Sequence, residues 1–564
     1  MWPPDRALAE LLAEWMPGRR WFAGKDRAVR DVSVAAATEL LPGDPGMHHV
    51  VVDVRQGETS DRYQLLLGTR RDLPERLRPG AIGRLPDGSR WLYDAVHDAD
   101  LSGLLLSRIA AEARVGPLRF RRSPGAELDT DLAGVPLSAE QSNTSLVYGD
   151  AYICKLFRRL APGVNPDLEI NLGLTREGCA HIPAVLGWIE LDPGSAAEEP
   201  VTLGLLSQFL PTATDGWRLA IASVRDWFAA PTTGVSAPAP PEAAGTGTGA
   251  AGTGTGGTGT GTGAAGTGTG GAGTGGDAGA AGTGAGGAGA GAAGTGTGGA
   301  GTGGDAGAAG TGAGGAGGAG GGAGSGAGGT SADAGAAGGD FAAEAERLGA
   351  ATATVHADLA AAFGTAEAPD GEPRDLAARM RRQLDEVRAD VPELERYADG
   401  IGAAFDALAA LPGGLRLQRV HGDYHLGQVL RDETGWMLLD FEGEPARTAR
   451  ERRAPSHPLR DVAGMLRSFE YAARFLLAET APDASPGSGR TVADLEARAR
   501  AWTERNRAAF CRGYTSAGGV DPAANAVLLH ALELDKAVYE VRYEARNRPS
   551  WLPVPLRSLA HHLA

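Results

Sequence analysis

Residues 245–339 contain only Gly, Ala, Thr, Ser and Asp, and they hold 48 of the chain's 87 glycines. The block 264–289 recurs unchanged at 292–317. A segment with no large apolar side chain cannot offset the entropy of ordering its backbone. Any core must therefore come from the sequence on either side. Helical patterns flank the segment at 217–229 and 341–362. A disordered low-complexity insertion over 235–340, inside one domain, is expected rather than a linker between two. Closing such a loop costs little more as it lengthens. Its many G-x-G matches carry no nucleotide-binding meaning.

The 564 residues suffice for two or three domains. The net charge of −16 argues against nucleic acid or an anionic membrane as partner. It leaves room for a nucleotide, which needs only a local cationic pocket. Three cysteines, Cys154, Cys179 and Cys511, fit a reducing cytoplasm and no disulfide framework. Asp5, Arg6 and Glu10 interrupt the first apolar residues, so no signal peptide is expected. No apolar run reaches the roughly 18 residues of a spanning helix.

The densest chemistry lies in HGDYHLGQVLRDETGWMLLDFEGEP, residues 421–445. Asp423 sits in a short loop opened by His421 and Gly422, and Asp440 ends an apolar run from Trp436. A loop carboxylate followed by a hairpin carboxylate suits one task. One takes a hydroxyl proton, and the other holds a divalent metal on a nucleoside triphosphate. The spacing Asp423-x-x-x-x-Gln428 fits the kinase catalytic loop H-x-D-x-x-x-x-N, with Gln in the place of the metal-binding Asn. Asp440-Phe441-Glu442 stands where protein kinases have Asp-Phe-Gly. A zinc site on His421 and His425 is the rival reading, but no Cys, His or Glu cluster completes a ligand set.

Upstream, residues 5–16 pattern as an amphipathic helix, and 48–67 and 90–97 as strands. RRWFAGK (19–25) resembles a phosphate loop but is one residue too long and has Asp26 in the Ser/Thr place. Asn143–Tyr148 and Ala151–Phe157 read as a hairpin around Gly149-Asp150. Lys155 lies on its second strand between apolar residues, where an inward ammonium needs an anion. Glu169, starting a helix after Pro166, is the expected partner, and such a pair positions a lysine on the α/β-phosphates. Ser142, Asn143, Thr144 and Ser145 could cover phosphates through hydroxyl and backbone N–H donors. Gln208-Phe209-Leu210, ending an apolar strand, reads as the hinge beside an adenine. Asp461, near the start of a helix from about Pro458, either braces the catalytic loop or satisfies the helix dipole. His356 is expected to pack or cap. On the helix around 533–547, Lys536, Glu540, Tyr543 and Asn547 share one face, opposite an apolar stripe. That face is either solvated or a contact surface for a polyhydroxy ligand.

RRWFAGK, EQSNTS, HGDYHLGQVL, LLDFEGEP, RRAPSHPLRDVAGMLRSFEYAA and DKAVYEVRYEARNRPSWLPVPL strongly resemble segments of the actinobacterial maltokinases, small-molecule kinases related to aminoglycoside phosphotransferases. The resemblance implies an α+β, bilobal protein-kinase-like fold. Its parts would be a cap domain (1–92), an ATP-binding intermediate subdomain (93–211) and a mostly helical C-lobe (212–564) holding the insertion. It implies transfer of the γ-phosphoryl group of ATP, with Mg²⁺, to the anomeric hydroxyl of maltose, giving maltose 1-phosphate for α-glucan synthesis. Asp423 would be the base, Gln428 and Asp440 the metal ligands, and Lys155 and Glu169 the phosphate-pairing couple. His425, Lys536, Glu540 and Tyr543 would touch the sugar. A cytoplasmic monomer or weak homodimer associated with trehalose synthase is the implied setting. A kinase for another sugar such as glucosamine is the nearest rival, and a silent pseudokinase binding module the more distant one.

Overall fold

The computed structural model describes residues 5–25, 27–137, 142–192, 194–195, 198–230, 340–444, 447–480 and 491–563. The expected low-complexity insertion, apart from Asp340, lies outside these residues, as do Ser138 to Gln141 of the hairpin loop.

The chain begins with the amphipathic helix Asp5–Trp15, whose Leu8, Leu12 and Trp15 are buried. They pack on the first sheet, with strand order Asp31–Leu41, Gly46–Gln56, Thr59–Arg70, Trp91–Asp94, Ala81–Arg84, all antiparallel. Gly46–Gln56 and Thr59–Arg70 are buried on both faces, with Val50, Val52, Leu65 and Leu67 in one apolar cluster and Val51 and Leu66 in another.

A second antiparallel sheet runs in the order Arg114–Val115, Leu118–Arg122, Val185–Leu191, Val201–Gln208, Tyr152–Leu156, Thr144–Tyr148, Gly134–Pro136. The hairpin read from the sequence lies between Val201–Gln208 and Gly134–Pro136, with Gly149 at φ +55° in the turn. Lys155 lies opposite Ser145 on one side and Leu205 on the other. The helix Pro166–Glu177 follows, capped by the side chain of Asn165.

The rest is helical, apart from two small sheets. Gly216–Ala229, Ala342–Phe363, Glu372–Asp390, Glu395–Ala409, Leu459–Thr480, Val492–Ser516 and Ala526–Asn547 contribute to one apolar core. Ala342–Phe363 and Val492–Ser516 approach through glycines. A Cβ at Gly349 would stand 2.1 Å from the Phe510 carbonyl oxygen, and one at Gly513 1.9 Å from that of Glu346. No helix among the described residues is long and apolar enough to cross a membrane.

The first two sheets are tied by buried polar groups. Arg158, 1% exposed, donates to Asp94 (2.8 Å) and to Thr144 Oγ1 (2.8 Å), and its guanidinium lies 5.1 Å from the Trp21 ring. Trp21 belongs to the RRWFAGK segment. Gln64 donates to the carbonyls of Phe157 and Leu203. Removing one member of a buried ion pair leaves an uncompensated charge. Arg158→Met is therefore expected to lower unfolding free energy by about 3–5 kcal/mol, read as a shift in the denaturant midpoint.

Candidate active site

Two clusters of charge assemble around residues 421–444. The first is centred on Lys155. Its Nζ lies 3.0 Å from Asp167, 2.6 Å from Asp440 and 2.6 Å from Glu442. Strand alternation puts Cys154 and Leu156 into the core and sends Lys155 to the opposite face. Burial works against the Lys155 ammonium, but the three carboxylates outweigh it and hold its pKa well above the ordinary lysine range. Burial also opposes ionisation of Asp440, yet Lys155 keeps its carboxyl below the usual value. Glu442 goes the other way. Burial raises it, and the neighbouring Asp440 and Asp167 charges add to that against the pull of Lys155.

This corrects the expected Lys155–Glu169 pair. The Asn165 cap accepts the Asp167 N–H (2.8 Å), and Asp167 reaches Lys155 from the first turn of the helix. Asp167 also accepts from Asn171 and from the Phe441 N–H (2.9 Å each). Glu169 points to Arg419 (3.0 Å) and Arg453 (3.4 Å). Asp167 was missed, although an Asn-Pro-Asp helix start is a signal for a first-turn carboxylate.

Gln428 Nε2 donates to the second oxygen of Asp440 (3.0 Å), so the two expected metal-binding residues meet. One oxygen each from Asp167, Asp440 and Glu442 fall within 4.8 Å of one another. Hard oxygen donors at such spacing suit Mg²⁺. Asp440 itself sits at φ +65°, a left-handed conformation that costs a non-glycine residue roughly 1–3 kcal/mol and collects at functional sites. Within the apolar run from Trp436, which reads as a strand ending at Asp440, the strand therefore stops at Leu438.

The second cluster is centred on Asp423. Its Oδ1 accepts from Lys536 (3.0 Å), which also reaches Glu444 (3.3 Å) and stands 4.9 Å from the Tyr539 ring centre. Burial disfavours the Lys536 ammonium, but Asp423 and Glu444 more than compensate and raise its pKa. Glu444 is bound in turn by Arg447 (2.7 Å) and Arg460 (2.9 Å), and these cations with Lys536 hold its carboxyl well down against burial.

Asp461 braces the loop, one of the two readings its position allowed. Its oxygens accept the N–H groups of His421 (2.7 Å) and Gly422 (2.8 Å) and the Nε2–H of His356 (3.0 Å). Gly464, one turn further on, lets the helix backbone lie against the loop, since a Cβ there would stand 2.5 Å from the Tyr424 carbonyl oxygen. His425 Nδ1 accepts the Gly427 N–H (3.1 Å), and burial lowers its pKa.

Several expected contacts fall elsewhere. Thr144 and Ser145 lie in a strand and are buried, with the Thr144 hydroxyl taken by Arg158, so neither side chain can cover a phosphate. Asn143 donates to Glu442 (3.2 Å), and Ser142 is exposed. Glu540 is committed to Arg467, a guanidinium 2% exposed that a carboxylate must neutralise, rather than to the acceptor side. Tyr543 stacks with Tyr539, centroids 6.5 Å apart. The strand before the expected hinge ends at Gln208, and the Phe209 N–H is taken by the Ala151 carbonyl (2.9 Å), while Leu210 O accepts from Ala213.

Asp535, beside Lys536, accepts from Gln383 (3.1 Å), and burial pushes its carboxyl up to about 6. An acid raised in the folded state stabilises fully below its unfolded pKa near 4, and that contribution is lost as pH rises through the folded value. Compared with Asp535→Asn, the wild type should lose on the order of 3 kcal/mol between about pH 4 and 6, with no further divergence above, as read by denaturant titration at each pH.

Residues 15–98 match the family described as "Maltokinase N-terminal cap domain", and 314–502 the "Phosphotransferase enzyme family". A "Glucosamine kinase" of Streptacidiphilus jiangxiensis is 34% identical over 38% of this chain and 48% of its own. One of Mycolicibacterium smegmatis is 34% identical over 25% of this chain and 33% of its own. The chain thus spans about half or less of the length of the curated relatives it matches. The solved "Glucosamine kinase in complex with glucosamine, ADP and inorganic phosphate" has the same fold, with a TM-score of 0.57 and 22% identity over all of both chains. A second structure, titled "Glucosamine kinase (crystal form B)", gives 0.59 and 21% over 99% of this chain and all of its own. One chain thus joins a match to a maltokinase-type cap domain with a match to a phosphotransferase domain, and the second match spans the loop aspartate Asp423 and the hairpin aspartate Asp440.

Proposed function

We propose that the protein transfers the γ-phosphoryl group of ATP to the anomeric hydroxyl of maltose, giving maltose 1-phosphate and ADP. The observation that carries this is convergence: Lys155 and Asp440, 285 positions apart, are hydrogen-bonded, and the loop before Asp440 presents Asp423 to Lys536. One cluster offers an ammonium and hard oxygens to a triphosphate, and the other offers a base to an alcohol.

Asp423 takes the proton of the sugar hydroxyl as the oxygen attacks phosphorus. The phosphorus–oxygen bond to ADP breaks in line with it. Lys536 fixes one oxygen of Asp423 and restricts its rotation. Lys155 pairs with phosphate oxygens once a nucleotide competes for it with the carboxylates. Mg²⁺ would be held by Asp440 and Gln428, and when bound it neutralises charge on the β- and γ-phosphates. Most of the acceleration comes from positioning and preorganised charge.

Support for a disaccharide is the aromatic row leading away from Lys536. Tyr539 stacks with Tyr543, Arg548 lies over both Tyr543 (5.4 Å) and Trp551 (5.6 Å), and Trp551 stacks on Phe475 at 4.7 Å. Tyr539, Tyr543 and Trp551 are partly exposed, and their ring edges offer apolar surface to more than one sugar ring. A second reading is a glucosamine kinase. The names of the curated relatives favour it, and so does Asp535, a carboxylate beside the acceptor end that could meet an amino group.

Measuring ADP release over a panel of maltose, glucose, glucosamine and maltotriose decides between them. Maltose should give the highest kcat/KM, and a preference for glucosamine would overturn the proposal. Asp423→Asn should lower kcat by at least about a hundredfold while ATP binding persists in calorimetry.

A further inference from the structure

The helix Ala526–Asn547 stops at Arg548, because the proline that follows disfavours helical backbone in the residue before it. Arg548 takes φ −146° and ψ 70° instead. Its N–H still bonds the Glu544 carbonyl (2.8 Å), and its own carbonyl accepts the Trp551 N–H (2.8 Å). One residue therefore joins the last turn of the helix to the short turn Pro549–Trp551.

Its side chain is fixed by a buried carboxylate. Arg548 Nη2 donates to Glu544 Oε1 (2.6 Å), and the Tyr471 hydroxyl donates to the same oxygen (2.6 Å). Tyr471 belongs to Leu459–Thr480, so Glu544 ties two helices. Glu544 is 1% exposed, and a carboxylate that deep needs a cation. The guanidinium does more than neutralise it. Its centre lies 5.4 Å from the Tyr543 ring centre and 5.6 Å from that of Trp551. Its Nε is buried with no hydrogen-bond acceptor among the described residues. A flat cation over two rings holds both through their negative faces, and an ammonium has no plane to match them. Phe475, one turn beyond Tyr471, stacks on Trp551 at 4.7 Å with an interplanar angle of 22°.

The helix sets where this assembly stands. Lys536, the donor to Asp423, and Tyr543 are seven residues apart and share a face. At about 1.5 Å of rise per residue, Tyr543 lies about 10 Å along the helix from Lys536. That places the two rings beyond the sugar ring that receives the phosphate.

We propose that Arg548 is a specificity-determining residue. It fixes the edges of Tyr543 and Trp551 against the second ring of a disaccharide, and so favours maltose over a monosaccharide. It acts through these rings and touches none of the reacting atoms. This inference rests on the maltose reading above.

The test follows kcat and KM for maltose and for glucose in three variants. In Arg548→Ala, KM for maltose should rise roughly tenfold with kcat lowered less than about threefold, and the ratio of kcat/KM for maltose over glucose should fall about tenfold. Arg548→Lys keeps a positive charge for Glu544 and loses the plane, so its ratio should fall as in Arg548→Ala. Arg548→Ala leaves a buried carboxylate unpaired, which can cost the fold. The double variant Arg548→Met with Glu544→Gln removes both charges, and its ratio should fall to the same degree. A ratio restored to wild type in Arg548→Lys would assign Arg548 to charge balance alone and overturn the proposal. Equal losses on maltose and glucose, or an unmoved ratio in the double variant, would overturn it as well. Any of these results in an enzyme that uses maltose leaves the maltose reading standing. A wild type that turns over no maltose overturns that reading, and this inference with it.

Discussion

One ammonium group gathers three carboxylates that the chain supplies from distant places. Asp167, Asp440 and Glu442 would repel one another at these separations in a partly buried site, and Lys155 is what makes their meeting tolerable. The second sheet brings the lysine, a capped helix brings Asp167, and the left-handed backbone at Asp440 brings the other two. Asn143 joins the same group through Glu442, which ties the hairpin loop to the catalytic segment. This cluster thus gathers an excess of carboxylate around a single cation.

The second cluster is organised by the same logic with the signs exchanged around Glu444. Lys536 and Glu444 alternate with Asp423, Arg447 and Arg460, so each buried charge has an opposite neighbour. What keeps the two clusters in register is a side chain gripping backbone. Asp461 grips the amides before Asp423, and Gly464 removes the one Cβ that would prevent close approach.

Much of this was legible where chemistry or alternation forces the answer. A lysine on an apolar strand needs an anion, and the loop spacing marks Asp423, Gln428 and Asp440. Identity of partners was less legible. Glu169 and Asp167 are both in the first turn of one helix, and only the path of the chain after the Asn165 cap decides which meets Lys155. Glu540 looked free because the helical wheel does not reveal Arg467 on a neighbouring helix. Asp31–Leu41 escaped notice because its alanines favour a helix, and pairing with Gly46–Gln56 overrides that preference. Val492–Ser516 went unread, although Thr491 and Asp494 form a capping box at its start.

Gly349 and Gly513 stand well away from either charge cluster in the sequence, and no reacting group depends on their chemistry. Yet any larger residue at either position must lever apart the two helices that press backbone to backbone there, and one of those helices carries His356, a donor to Asp461. A survey of loss-of-function alleles would accordingly score these two plain hydrogens as if they were catalytic, and a map of tolerance drawn from distance to the substrate alone would misplace them.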